Sequence, residues 1–147
     1  MKAFVSSTAL DLPKHRLAVA AALERLGLQL ARMESFGVRP EEATAASLEE
    51  VEGSEIFVGI YAHRYGYVPP DSTCSITESE FDYAYKLRRP TFCFFIDDEY
   101  PWPQELMEKS PAKEKLIAFK ARIEKLVVRD VFTTPDVLPE FVLDFIH

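Results

Sequence analysis

The stretch SEIFVGIYAHRYGYVPPDSTCSITESEFDYAYKLRRPTFCFFI, residues 54–96, sets the fold class. Ile56 to Tyr61 is apolar on both alternating faces, which suits a central parallel strand covered by helices on each side. The irregular HRYGYVPPDSTCS follows, and long loops in compact domains are often functional. Thr77 then opens a helix with Glu80 three positions on, a T-x-x-E capping box, and the helix must end before Pro90. TFCFFI is a second apolar strand. A strand, a helix and a strand in this order form a right-handed crossover between parallel strands.

The same alternation extends in both directions. Ala3 to Ser6 reads as a first strand, Asp11 can cap a helix and Pro13 fits its first turn. That helix runs to about Gly27, with Leu12, Val19, Leu23 and Leu26 at helical spacing. Leu28 to Met33 reads as a second strand, ESFGVRPEE as a loop and TAASLEEVEGS as a short helix. After the turn IDDEYPWP, Ala112 to Leu126 is amphipathic, VVRDVF is a fifth strand and Val137 to Ile146 a final helix. The expected architecture is α/β: a flavodoxin-like three-layer α/β/α sandwich with a parallel sheet of about five strands, one domain over residues 1–147.

Composition agrees with one globular domain, since 48% hydrophobic residues with 28% charged ones is too apolar for a disordered chain. A net charge of −7 repels nucleic-acid phosphate on average. The basic cluster Lys86, Arg88 and Arg89 closes a helix, where cations meet the carbonyl end of the dipole. No apolar window approaches the roughly twenty residues of a membrane span, and MKAFVSST does not read as a signal peptide. Cys74 and Cys93 fit no metal or redox spacing, and Cys93 inside TFCFFI reads as a buried reduced thiol. The expectation is a cytoplasmic protein without nucleic-acid or membrane partners.

Ligands on a parallel sheet bind outside the carboxyl ends of the strands. Those ends carry Ser6, Ser7 and Thr8, then Glu34, then His63, Arg64, Tyr65 and Gly66, then Asp97 and Asp98. The first β-α turn, SSTALD, has neither G-x-G-x-x-G nor G-K-[ST], so no dinucleotide fingerprint or P-loop is present. His15, His63 and His147 show no metal spacing, and no G-x-S-x-G marks a hydrolase elbow. What stands out is an acid on the inner face of the helix that starts at Thr77. At about 100° per residue Glu80 shares an arc with Phe81 and Ala84, whereas Glu78 projects to the edge beside Tyr85. Held by the helix dipole and free amides, Glu80 is expected to stay ionised at neutral pH, a state suited to a nucleophile or to stabilising an oxocarbenium ion. The competing reading makes Glu80 the capping partner of Thr77 and nothing else.

FVSSTALDLPKHR, LGLQLARMESFG, SEIFVGIYAHRYGYVP and SITESEFDYAYKLRRP, in order along nearly the whole chain, resemble the DUF4062 domain. The sequence departs from that pattern at Ala9, where the family usually has an aromatic residue, and at His15, where an acid commonly precedes Arg16. The family is itself similar to TIR domains and nucleoside 2-deoxyribosyltransferases. In those relatives a catalytic Glu begins the helix after the third strand and precedes a K-P or K-N pair by ten positions, and counting back from Pro90 reaches Glu80. The resemblance implies Glu80 as the catalytic residue and Ser6, Ser7, Thr8, Glu34, His63, Arg64, Tyr65 and Gly66 as substrate contacts. The implied reaction is attack at C1′ of a ribosyl group, with NAD as substrate rather than prosthetic group, in a signalling or defence role. Nicotinamide leaves as a neutral group without a general acid. Transfer of a neutral base, the deoxyribosyltransferase alternative, needs a proton donor, for which Tyr65 and His63 are candidates. The resemblance also implies self-association, placed at the ESFGVRPEE loop with Phe36 as apolar anchor, and a non-catalytic interaction module as the competing function.

Overall fold

The computed structural model describes residues 1–8, 11–31, 40–70, 72–127, 129–136 and 138–140, with only the backbone of 40–43. Its elements run β1 (Lys2–Ser7), α1 (Pro13–Arg25), β2 (Gln29–Leu30), α2 (Pro40–Glu52), β3 (Ile56–Tyr61), α3 (Ile76–Lys86), β4 (Thr91–Ile96), α4 (Ala112–Leu126) and β5 (Arg129–Phe132). The five strands form one sheet in the order β2-β1-β3-β4-β5, with every neighbouring pair parallel. This is the flavodoxin-like architecture expected from the sequence. The order reverses between β1 and β3, and at such a switch point helices leave to opposite faces and open a crevice above the strand ends.

The faces follow from the two-residue period of the strands. Val5, Val58, Ile60 and Phe94 pack with Val19 and Leu23 of α1. The alternate residues Phe4, Phe57, Tyr61, Cys93 and Phe95 pack with Val51 of α2, Phe81 and Ala84 of α3, and Leu116, Phe119 and Ile123 of α4. Ser6 shares the face of Phe4, so its hydroxyl points into the layer made by α2, α3 and α4. Its register partner is Gly59 on β3, and Ser7 pairs with Ile60. The carboxyl ends of β1 and β3 are therefore adjacent.

Several local expectations are corrected. Among the described residues the second strand is confined to Gln29–Leu30, although the Ala31 amide still donates to the Ala3 carbonyl at 2.9 Å. Pro40, Glu41 and Glu42 belong to α2 rather than to the preceding loop. Glu34 and Phe36 lie outside the described residues, as does most of the final helix, of which residues 138–140 are helical. Pro13 does begin α1, but its cap is Leu12 without a side-chain bond. Asp11 instead accepts the Thr8 hydroxyl. Leu26, expected on the buried stripe, is 39% exposed because α1 has ended at Arg25.

Candidate functional site

The start of α3 differs from the expected capping box, and the difference decides what Glu80 is free to do. The helix begins two residues earlier than Thr77 would require. Ser75 is the N-cap, its hydroxyl accepting from the Glu78 amide at 3.1 Å. SITESE contains two overlapping boxes, Ser75 with Glu78 and Thr77 with Glu80, and the first is used. Glu78 does not close that box directly. The Ser75 amide donates to the Tyr65 hydroxyl at 3.1 Å, and Tyr65 donates in turn to Glu78, which also pairs with Arg122 of α4. The cap is thus relayed through a loop residue, and Glu80 has no part in it.

Glu80 lies instead on the buried stripe of α3 with Thr77, Phe81 and Ala84, and is 2% exposed. Ser6 donates to its Oε1 at 2.9 Å, and Tyr61 donates to the Ser6 Oγ at 3.2 Å. The carboxyl was expected to be ionised at neutral pH. Burial raises it from 4.5 to about 7, against the pull of the Ser6 and Ser47 hydroxyls and the Arg16 guanidinium. The helix dipole reaches only the first turn and does not outweigh desolvation of a carboxylate this deep. Arg16 of α1 meets Ser7 Oγ at 3.5 Å and the Val5 carbonyl at 3.3 Å, and burial lowers its pKa while Glu80 holds it up.

The remaining sequence candidates are distributed around this carboxylate unequally. Of the first-turn trio, Ser6 touches Glu80, Ser7 meets Arg16 and Thr8 is bonded to Asp11. Gly66, at φ 95°, lets the RYGY loop close on the site: a Cβ there would sit 3.1 Å from Thr77 Oγ1 and 3.2 Å from Thr8 Cγ2. Tyr65 is 1% exposed, and burial with the Glu78 bond pushes its phenol up to about 12. Arg64 acts on the buried Asp11 carboxyl, whose pKa burial raises against the Thr8 hydrogen bond and the Arg64 charge.

His63 faces elsewhere. It borders a cleft of about 890 Å³ at the ends of β4 and β5, with Asp97, Asp98, Phe95 and Lys120. Glu80 and Ser6 do not line that cleft, so His63, expected among the substrate contacts, stands apart from the carboxylate, which is covered by the layer of α2 and α3. Burial and Lys120 lower the His63 pKa below 6.5, so its ring is neutral at pH 7. Glu78 is the more accessible acid of the pair, as expected, its side chain 13% exposed. Lys86, Arg88 and Arg89 do close α3, and Arg89 reaches the Glu52 carbonyl at the end of α2 at 2.8 Å.

Sequence reasoning missed Tyr61, Gly59, Arg16 and Ser47. A glycine inside a strand marks a close approach, and at Gly59 it does: a Cβ would lie 2.6 Å from the Tyr61 hydroxyl. Ser47 carried no comparable signal.

A family model described as "Domain of unknown function (DUF4062)" matches residues 2–143. The chain belongs to the DUF4062 family. Among solved structures this DUF4062 chain is similar to a CMP N-glycosidase of Clostridium botulinum, at 13% identity with a TM-score of 0.61, covering 98% of this chain and 99% of that one. At that identity the likeness establishes a shared fold along the whole DUF4062 domain. A search of curated proteins gives no match. Among the described residues no helix is long and apolar enough to cross a membrane.

Proposed function

We propose that this DUF4062 domain cleaves the N-glycosidic bond of a ribosyl nucleotide, NAD or a pyrimidine nucleotide, with Glu80 as the catalytic carboxylate. The observation that carries the reading is that Glu80 is a buried acid released from helix capping, bonded to Ser6 at the carboxyl end of β1 beside the switch point. The fold shared with a CMP N-glycosidase supports it. Cleavage builds positive charge at C1′ and on the ring oxygen, and an ionised carboxylate opposite that centre stabilises it or bonds to it. With its pKa at about 7, Glu80 is part ionised at neutrality, and a developing cation favours the charged form.

Nicotinamide leaves NAD without a proton. A neutral pyrimidine needs one, and neither sequence candidate is poised to give it: Tyr65 is committed to Glu78, and the His63 ring is neutral. NAD therefore remains the simpler substrate chemically, and a pyrimidine nucleotide the one closer to the structural relative's name. A signalling or defence setting and self-association, with neighbouring copies completing the substrate site, belong to the same proposal. The depth of Glu80, at 2% exposure, favours a second reading in which the domain acts by protein contacts alone. Incubating the purified chain with NAD and with CMP, and measuring nicotinamide and cytosine release against Glu80→Gln, separates the two. Glu80-dependent release of either base supports the enzyme, and no release at any protein concentration supports the interaction module.

A further inference from the structure

We propose that Tyr61 is a positioning residue for Glu80, acting through Ser6, and that Gly59 exists to let it reach. The inference rests on Glu80 being the functional carboxylate. Tyr61 is the last residue of β3 and is 2% exposed. Its ring folds back along its own strand over Gly59, where any Cβ would lie 2.6 Å from the hydroxyl and 2.7 Å from two ring carbons. Phe119 of α4 and Phe95 of β4 hold the ring from the other sides, with centroids at 5.2 and 6.4 Å. The hydroxyl arrives 3.2 Å from Ser6 Oγ, which stands 2.9 Å from Glu80 Oε1.

The direction of these bonds gives the pair its function. Burial keeps the Tyr61 phenol protonated far above neutrality, so against an ionised Glu80 it can only donate. By filling a lone pair of Ser6 Oγ it commits the Ser6 proton to Glu80, and donors in series strengthen one another. A serine hydroxyl without that constraint is a free rotor. The charged group facing Glu80 is Arg16 of α1, with the Ser47 hydroxyl of α2. Tyr61 itself also faces Cys93 of β4 and Asp82 of α3. Tyr61 therefore fixes the Ser6 proton on Oε1 of Glu80 and so sets how that carboxyl is held.

Tyr61→Phe removes one oxygen and keeps the ring contacts, so it tests the relay with little risk to folding. The chain labelled with ¹³C in its Glu carboxyls is titrated as wild type, Tyr61→Phe, Ser6→Ala and the double variant, with Glu80 assigned by loss of its signal in Glu80→Gln. The pH dependence of base release is followed alongside. The Glu80 midpoint should rise by on the order of half a pH unit in Tyr61→Phe, as expected when the Ser6 hydrogen bond to the charged form is weakened but not removed. Ser6→Ala should raise it further, and the double variant no further than Ser6→Ala alone. An unmoved midpoint in Tyr61→Phe, or shifts that add, overturns the relay. Base release that survives Glu80→Gln overturns the catalytic reading instead, and the carboxyl titration still judges the relay.

Discussion

Replacing Glu80 with Gln should make this protein more stable in weak alkali while abolishing the proposed base release, and the gain in stability should depend on pH in a calculable way. An exposed Glu carboxyl in the unfolded chain titrates near 4.5, and the folded one at about 7. Between these values the folded chain binds a proton that the unfolded chain has released, so stability falls as pH rises through the window. At about 1.4 kcal/mol for each tenfold change in the ionisation constant, the full penalty above pH 7 is on the order of 3 kcal/mol. Gln is neutral throughout, matches the shape of Glu and can still accept from Ser6. Urea unfolding at several pH values is the assay. Below about pH 4.5 the variant and wild type should agree within about 1 kcal/mol, and near pH 8 the variant should be ahead by on the order of 2–3 kcal/mol. Curves that stay parallel across the range, or a variant that is weaker at pH 8, would refute the picture of a desolvated carboxylate strained by its own charge.

Other substitutions probe the supports of the site. Ser75→Ala removes the cap of α3 and should cost about 1 kcal/mol by chemical denaturation, whereas Thr77→Ala should leave the Glu78 amide bonded. Tyr65→Phe breaks both the bond from Ser75 and the bond to Glu78 and should lower stability by on the order of 1–3 kcal/mol, with Arg122→Gln, at the far end of the same chain of bonds, costing less because Arg122 is 40% exposed. Gly59→Ala forces the Tyr61 ring aside and should destabilise by about 1–3 kcal/mol, measurable as a lowered unfolding midpoint, with catalytic loss beyond what stability explains. In the folded chain Cys74 should react with a maleimide quickly and Cys93 only upon unfolding, since burial raises the Cys93 thiol and shields it.

The fold was legible because its decisive signals are local. Ile56 to Tyr61 and TFCFFI are apolar on both faces, which suits a covered parallel strand, and Pro90 ends the helix between them by geometry alone. The inward projection of Glu80 was legible for the same reason, because 100° per residue places it on the arc of Phe81 and Ala84. The cap of α3 was not, since SITESE offers Ser75 with Glu78 and Thr77 with Glu80 on equal local terms. Tyr65 decides between them, and it arrives from ten residues away in a loop whose path is set by Gly66. The ionisation of Glu80 was misread because desolvation belongs to the packed layer of α2 and α3 and leaves no trace in the helix's own sequence. His63 and Tyr65 are neighbours in the chain yet serve different places, one bordering the cleft beside Lys120 and the other the start of α3. A turn without regular period hides such divergence.

The most direct test of the central claim is the rate of base release from NAD and from CMP by wild type, Glu80→Gln and Glu78→Gln at matched concentrations. The account predicts release by wild type that increases with pH through about 7 as Glu80 ionises, falls by a few orders of magnitude in Glu80→Gln, and is largely retained in Glu78→Gln. Equal losses in both variants, or release undiminished by Glu80→Gln, would contradict it.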